Sequence, residues 1–116
     1  MRRGPRKHYE KYRFYARVLV RERLEHFNRW YEHPYRKIFI RNTRSRWGSC
    51  STRGNLNFSY KVALLPERLR DYVIVHELCH LKEFNHSLRF WALVAKVFPD
   101  HKHLRKALRA VEQKAR

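Results

Sequence analysis

Apolar and polar positions recur along this chain with two rhythms, a helical one at both ends and a strand-like one between them. From about Tyr9 to Tyr31 the helical rhythm puts Tyr12, Tyr15, Ala16, Leu19, Val20, Phe27 and Trp30 on one stripe, with Arg13, Arg17, Arg21 and Glu25 on other faces. This pattern predicts a long core-covering helix ended by Pro34, with His26 and His33 as partly exposed histidines. Three short strands should follow. Lys37–Asn42 is rich in β-favouring residues, Arg46–Cys50 carries Gly48 as a bulge or close approach, and Asn55–Tyr60 alternates Leu56, Phe58 and Tyr60 with polar neighbours. Turn residues Ser51–Gly54 separate the last two, so a small antiparallel sheet is expected.

Beyond Pro66 the rhythm is helical again, and apolar residues surround the axis. Leu69, Tyr72, Val73, Ile74, Val75, Leu78, Cys79 and Leu81 leave no wet face, so a helix running to about Phe84 should be central and buried. Asn85 suits a left-handed helix end, and Ser87 suits the N-cap of a helix over Leu88–Phe98 with Leu88, Trp91, Val94 and Phe98 as its stripe. Pro99 and Asp100 break the chain before a basic amphipathic helix, His101–Ala115, built on Leu104, Leu108 and Val111. The class is therefore α+β, in a single domain over residues 1–116, with residues 1–7 a flexible basic arm.

Composition narrows the class of partner. The chain has 28 Lys and Arg against 10 Asp and Glu, a formal charge of +18 that favours polyanions, so nonspecific nucleic acid contact is an expectation. With 43% hydrophobic residues a folded core is expected in spite of that charge. Cys50 and Cys79 are too few for a disulfide framework and fit reduced thiols in the cytoplasm. No apolar run reaches a membrane span, and Met1–Lys7 leads into a charged amphipathic stretch instead of a signal-peptide core.

The buried central helix carries polar residues that need a reason. His76, Glu77 and His80 form an H-E-x-x-H motif. The two histidines stand one turn apart on one face and can reach a single ion, while Glu77 is rotated toward that ion's water. Of eight histidines, only this pair has the i, i+4 spacing. His86 follows in the corner after the helix break, and three imidazoles would leave zinc one open position for a water. Zinc would lower that water's pKa toward about 7, and Glu77 could take its proton and pass it to a leaving amine. Arg46, Tyr60 and Tyr72 are candidates for stabilising the oxyanion, and His101 and His103 for hydrogen bonds in the transition state. Glu83 reads as a solvated carboxylate, and Cys79 as a small buried residue instead of a ligand.

Longer stretches add a resemblance. Arg46-Trp47-Gly48-Ser49-Cys50-Ser51, Gly54-Asn55-Leu56, Tyr72–Leu81 and Asn85-His86-Ser87 with Phe90-Trp91 together resemble the YgjP-like metallopeptidase domain, related to SprT-like and WLM proteases. The resemblance implies a zincin-like fold, with a small sheet packed on the H-E-x-x-H helix, a long N-terminal helix and two C-terminal helices. It also implies His76, His80 and His86 as zinc ligands and Glu77 as the catalytic base. Zincin geometry adds an extended peptide or unfolded protein substrate paired to a strand edge, for which Asn55–Tyr60 is the candidate. The alternatives are a nucleic-acid-binding module with a structural or vestigial zinc site, and a hydrolase of non-peptide amides or esters.

Overall fold

A computed structural model describes residues 1–114 and shows four α-helices and a three-stranded sheet. Helix α1 spans Arg6–Tyr31, strands β1, β2 and β3 span Ile38–Arg41, Gly48–Cys50 and Leu56–Ser59, and helices α2, α3 and α4 span Glu67–His80, Leu88–Ala95 and His101–Lys114. A single-turn 3-10 helix, Tyr60–Leu64, joins β3 to the loop before α2. Ala115, the expected last residue of the final helix, lies outside the described residues.

The sheet corrects the expected pairing. Its order is β1-β3-β2, with β2 antiparallel and β1 parallel to β3. The turn at Ser51–Gly54, where Gly54 takes φ 86°, folds β2 onto one edge of β3. That leaves only the opposite edge for β1, and residues 42–55, including β2 itself, form the crossover that a parallel pair requires. Asn55–Tyr60 consequently supplies the central strand and has no edge to offer a peptide.

Helix α2 sits where its apolar girth requires. Leu69, Tyr72, Val73, Ile74, Val75, Leu78 and Cys79 are all buried, in one core with Leu56 and Phe58 of β3 and Val20 and Leu24 of α1. The buried seam of α1 is Ala16, Val20, Leu24, Phe27 and Tyr31, a narrower stripe than expected. Tyr15 and Trp30 lie on its flanks at 51% and 56% exposure, and Trp30 packs on His26 and under Arg29. His33, expected near solvent, is buried. Its backbone N–H and C=O pair with the Asn28 side chain at 2.8 Å, and its Nδ1 lies 3.1 Å from the carbonyl oxygen of Leu78.

Several ends also differ from expectation. Helix α1 ends at Tyr31 as expected, but its end is made by Glu32, two residues before Pro34, in the left-handed conformation (φ 53°), and Asn85 does not adopt a positive φ. Helix α2 stops at His80 and not Phe84, where Leu81 and Lys82 N–H turn back three residues to the Leu78 and Cys79 carbonyls in a tightened turn. Helix α3 is rotated so that Phe90 and Val94 face the core, leaving Leu88 at 89% exposure. The expected basic arm is shorter, since Arg6 and Lys7 are helical and Gly4 is buried, pairing through both N–H and C=O with the Asn42 side chain at 2.9 Å. Backbone groups that would otherwise need water are thereby satisfied within the fold.

Candidate metal centre

Helix α2 presents His76 and His80 from its last two turns, and the tight turn beyond it brings His86 back toward them. The three Nε2 atoms form a nearly equilateral triangle, with separations of 3.2, 3.1 and 3.2 Å. Tetrahedral coordination at about 2.0–2.1 Å would place three such nitrogens roughly 3.3 Å apart, so the spacing fits one ion. Ordinary hydrogen bonding cannot account for the triangle. His80 Nδ1–H donates to the Glu83 carbonyl at 2.9 Å, which leaves its Nε2 as a lone pair facing the other two rings.

Aromatic packing holds these rings. Phe90 stacks on His80 at 4.3 Å and meets the edges of His76 and His86. Trp91 lies between His86 and His101, nearly parallel to both at 5.7 and 4.8 Å. His101 therefore packs at the periphery, and His103 is exposed. Burial, with smaller contributions from His80, His86 and Arg105, pushes His76 down to about 3, and burial likewise lowers His80. Both imidazoles are accordingly neutral near pH 7, the state in which they can ligate.

Glu77 is buried beside the triad. Burial pushes its carboxyl up to about 8, against the opposing charge of Arg46. Gly48 of β2 makes this possible, since a Cβ there would stand 2.9 Å from Glu77 Cγ and 3.1 Å from the Asn57 carbonyl oxygen. Two clefts flank the glutamate. One, of about 270 Å³, runs between β2 and the triad and includes Cys50 and Phe84; burial raises the Cys50 thiol to about 11. The other, of about 260 Å³, lies between Tyr72 and Val73 of α2 and Arg105, Leu108 and Arg109 of α4.

The candidate oxyanion residues separate in space. Arg46 borders both clefts and Tyr72 borders the second, but Tyr60 is buried elsewhere, with its hydroxyl 2.7 Å from His8 Nδ1. Glu83 contributes its backbone carbonyl and not its carboxylate. Cys79 is fully buried, its thiol raised by burial to about 12. Sequence periodicity missed Trp47, whose Nε1 donates to Glu112 Oε1 at 2.6 Å and ties α4 across the site. It also missed Arg105 and Arg109, which resemble solvated members of a basic helix until the fold lays that helix against α2. The tryptophan in the R-W-G-S-C stretch was the available signal.

Solved structures share this fold. The chain resembles the metallopeptidase zymogen of Pyrococcus abyssi abylysin, with TM-score 0.74 and 29% identity over 81% of this chain and 95% of the other. It shares a fold with the metallopeptidase zymogen of Methanocaldococcus jannaschii jannalysin, with TM-score 0.63 and 24% identity over 84% and 95% of the two chains. No curated protein matches the sequence. The family profile described as YgjP-like, metallopeptidase domain matches residues 2–111, and the chain therefore belongs to the YgjP-like metallopeptidase family, whose members imply a divalent metal and peptide substrates.

Proposed function

We propose that this metallopeptidase is zinc-dependent, with His76, His80 and His86 as the ligands and Glu77 as the general base. The convergence of three Nε2 atoms at 3.1–3.2 Å beside a buried carboxyl carries this reading. When bound, zinc supplies a Lewis acid for the scissile carbonyl and acidifies the attacking water. Beside the cation Glu77 would be ionised in spite of its burial, and as the carboxylate it accepts that water's proton and returns it to the nitrogen of the departing amine, serving as base and then acid. Arg46, the cation bordering both clefts, is placed to stabilise the negative charge that develops on the carbonyl oxygen. An extended peptide would lie along the outer edge of β2, which pairs with β3 on one side only and contributes Gly48, Ser49 and Cys50 to the cleft beside the triad. The free thiols Cys50 and Cys79 fit a reducing cytoplasm, and no helix among the described residues is long and apolar enough to cross a membrane.

The decisive comparison is wild type against Glu77→Gln on an unfolded protein substrate, with zinc content measured first. Retained zinc with cleavage reduced by at least about 100-fold supports the assignment. Equal cleavage by both proteins removes Glu77 as base.

One observation favours an additional polyanion contact. A groove of about 420 Å³ between α1 and β1 is lined by Arg17, Arg21, Arg36 and Lys37 with Tyr35 and Phe39, and by no carboxylate. Nucleic acid binding there would be salt-dependent and independent of Glu77. Charge reversal at Arg21 and Lys37 should weaken it more than reversal at Arg2 and Arg3. The opposite ranking would move the contact to the N-terminus.

A further inference from the structure

We infer that the cleft between α2 and α4 is a carboxylate-binding subsite, in which Arg105 and Arg109 receive an acidic side chain or the free C-terminus of a peptide substrate. The inference rests on the peptidase reading and specifies what that site selects.

Arg105 and Arg109 stand one helical turn apart on α4 and so share a face. Both line the cavity that His76 and Glu77 close on the opposite side. Neither makes an ion pair with a carboxylate among the described residues, where the ion pairs are Arg6–Glu10, Arg23–Asp71, Arg68–Asp100 and Arg70–Asp71. The cavity's other carboxylate, Glu112, already accepts the Trp47 indole N–H at 2.6 Å. Two guanidinium groups thus border the cleft without a carboxylate partner among the described residues.

The shape of the cleft suits a small acidic group. At about 260 Å³ it falls below the roughly 300–1,000 Å³ typical of drug-sized ligand sites, which matches one side chain or chain end with water. Trp47, Val73 and Leu108 provide apolar wall for the methylene part of such a group. Arg105 is itself oriented, with its guanidinium carbon 5.6 Å from the centre of the Trp91 ring that stacks on His86. Recognition and the metal centre therefore share one aromatic support. Guanidinium geometry favours carboxylate over its uncharged amide isostere because it offers parallel donors to both oxygens.

Cleavage is tested with zinc-loaded wild type, Arg105→Glu and Arg109→Glu. One set of peptides has blocked ends with Glu, Gln or Lys flanking the scissile bond; a second, neutral set differs only in a free or amidated C-terminus. Wild type should cleave Glu peptides, or free-terminus peptides, with kcat/KM about 3- to 10-fold above their neutral counterparts, and this ratio should shrink as salt rises. Which set shows the preference identifies the source of the carboxylate. Each arginine reversal should invert the ranking of Glu and Lys peptides, or that of free and amidated termini, whichever set shows the preference, while thermal melting confirms folding. Unchanged rankings in both variants overturn the subsite and leave the peptidase reading intact.

Binding is read separately in metal-free Glu77→Gln, from indole fluorescence titrated with N-acetylglutamate and N-acetylglutamine. Preference for the glutamate probe, lost on adding Arg109→Glu, supports the subsite even if no peptide is cleaved, an outcome that would reject only the peptidase reading. Equal binding of the two probes rejects an acidic side chain as the ligand, and equal binding of N-acetylglutamine and its C-terminal amide as well rejects the subsite altogether.

Discussion

His80 Nδ1 lies 2.9 Å from the backbone carbonyl oxygen of Glu83. The glutamate stands just past the end of α2, and its own N–H returns to the Cys79 carbonyl at 3.1 Å, so the turn holds the acceptor in place. Such a partner fixes the tautomer of a ligating histidine and makes its other nitrogen more basic. Because the backbone supplies it, Glu83→Ala should leave zinc affinity unchanged. Glu83→Pro removes the N–H that closes the turn and should weaken zinc binding about 10- to 100-fold in a chelator competition. The reverse ranking would show that the carboxylate matters and the carbonyl does not.

Gly48 makes room for Glu77, the proposed base. A methyl group there would crowd Glu77 Cγ from one side and the Asn57 carbonyl from another, and the backbone neighbour cannot yield by a rotamer change. Gly48→Ala should therefore retain zinc while lowering kcat by about 10-fold or more, through displacement of the carboxylate. Full activity with zinc bound would mean that Glu77 tolerates the shift.

Glu77 also makes metal-free stability depend on pH. Its carboxyl titrates near 8 in the folded chain, raised by burial from an ordinary value of 4.5. Between those values the folded state keeps a proton that the unfolded state has released, so this residue lowers stability progressively as pH rises through that window. Metal-free Glu77→Gln should melt near the parent at pH 4.5 and above it at pH 9, by at most about 5 kcal/mol. His76 acts in the opposite sense, since its depressed pKa removes stability as pH falls below 6.5. That effect is common to both proteins and cancels in the comparison. A difference independent of pH would contradict the burial of Glu77.

The N-terminus should report on its docking. A Cβ at Gly4 would overlap the Tyr60 hydroxyl, which is buried and bonded to His8. Gly4→Ala is expected to cost about 1–3 kcal/mol in thermal or urea unfolding. An unchanged midpoint would restore the loose basic arm expected over residues 1–7.

Local patterns determined the long first helix, the apolar girth of α2, the Ser87 cap and the juxtaposition of His76, Glu77 and His80. Each depends on residues within a few turns of one another, where backbone periodicity dictates which side chains meet. His86 was also legible, because the helix break returns the chain over a short loop. The parallel pairing of β1 with β3 was not, since β3's free edge exists only after the hairpin with β2 has formed. Nor could periodicity show that Arg105 and Arg109 face the metal site, or that Trp47 ties Glu112 across it. These relationships join residues far apart in sequence, and their energies arise only when α4 packs against α2. The sequence by itself determined which histidines meet beside Glu77, whereas tertiary packing decided which charges and which strand edge surround them.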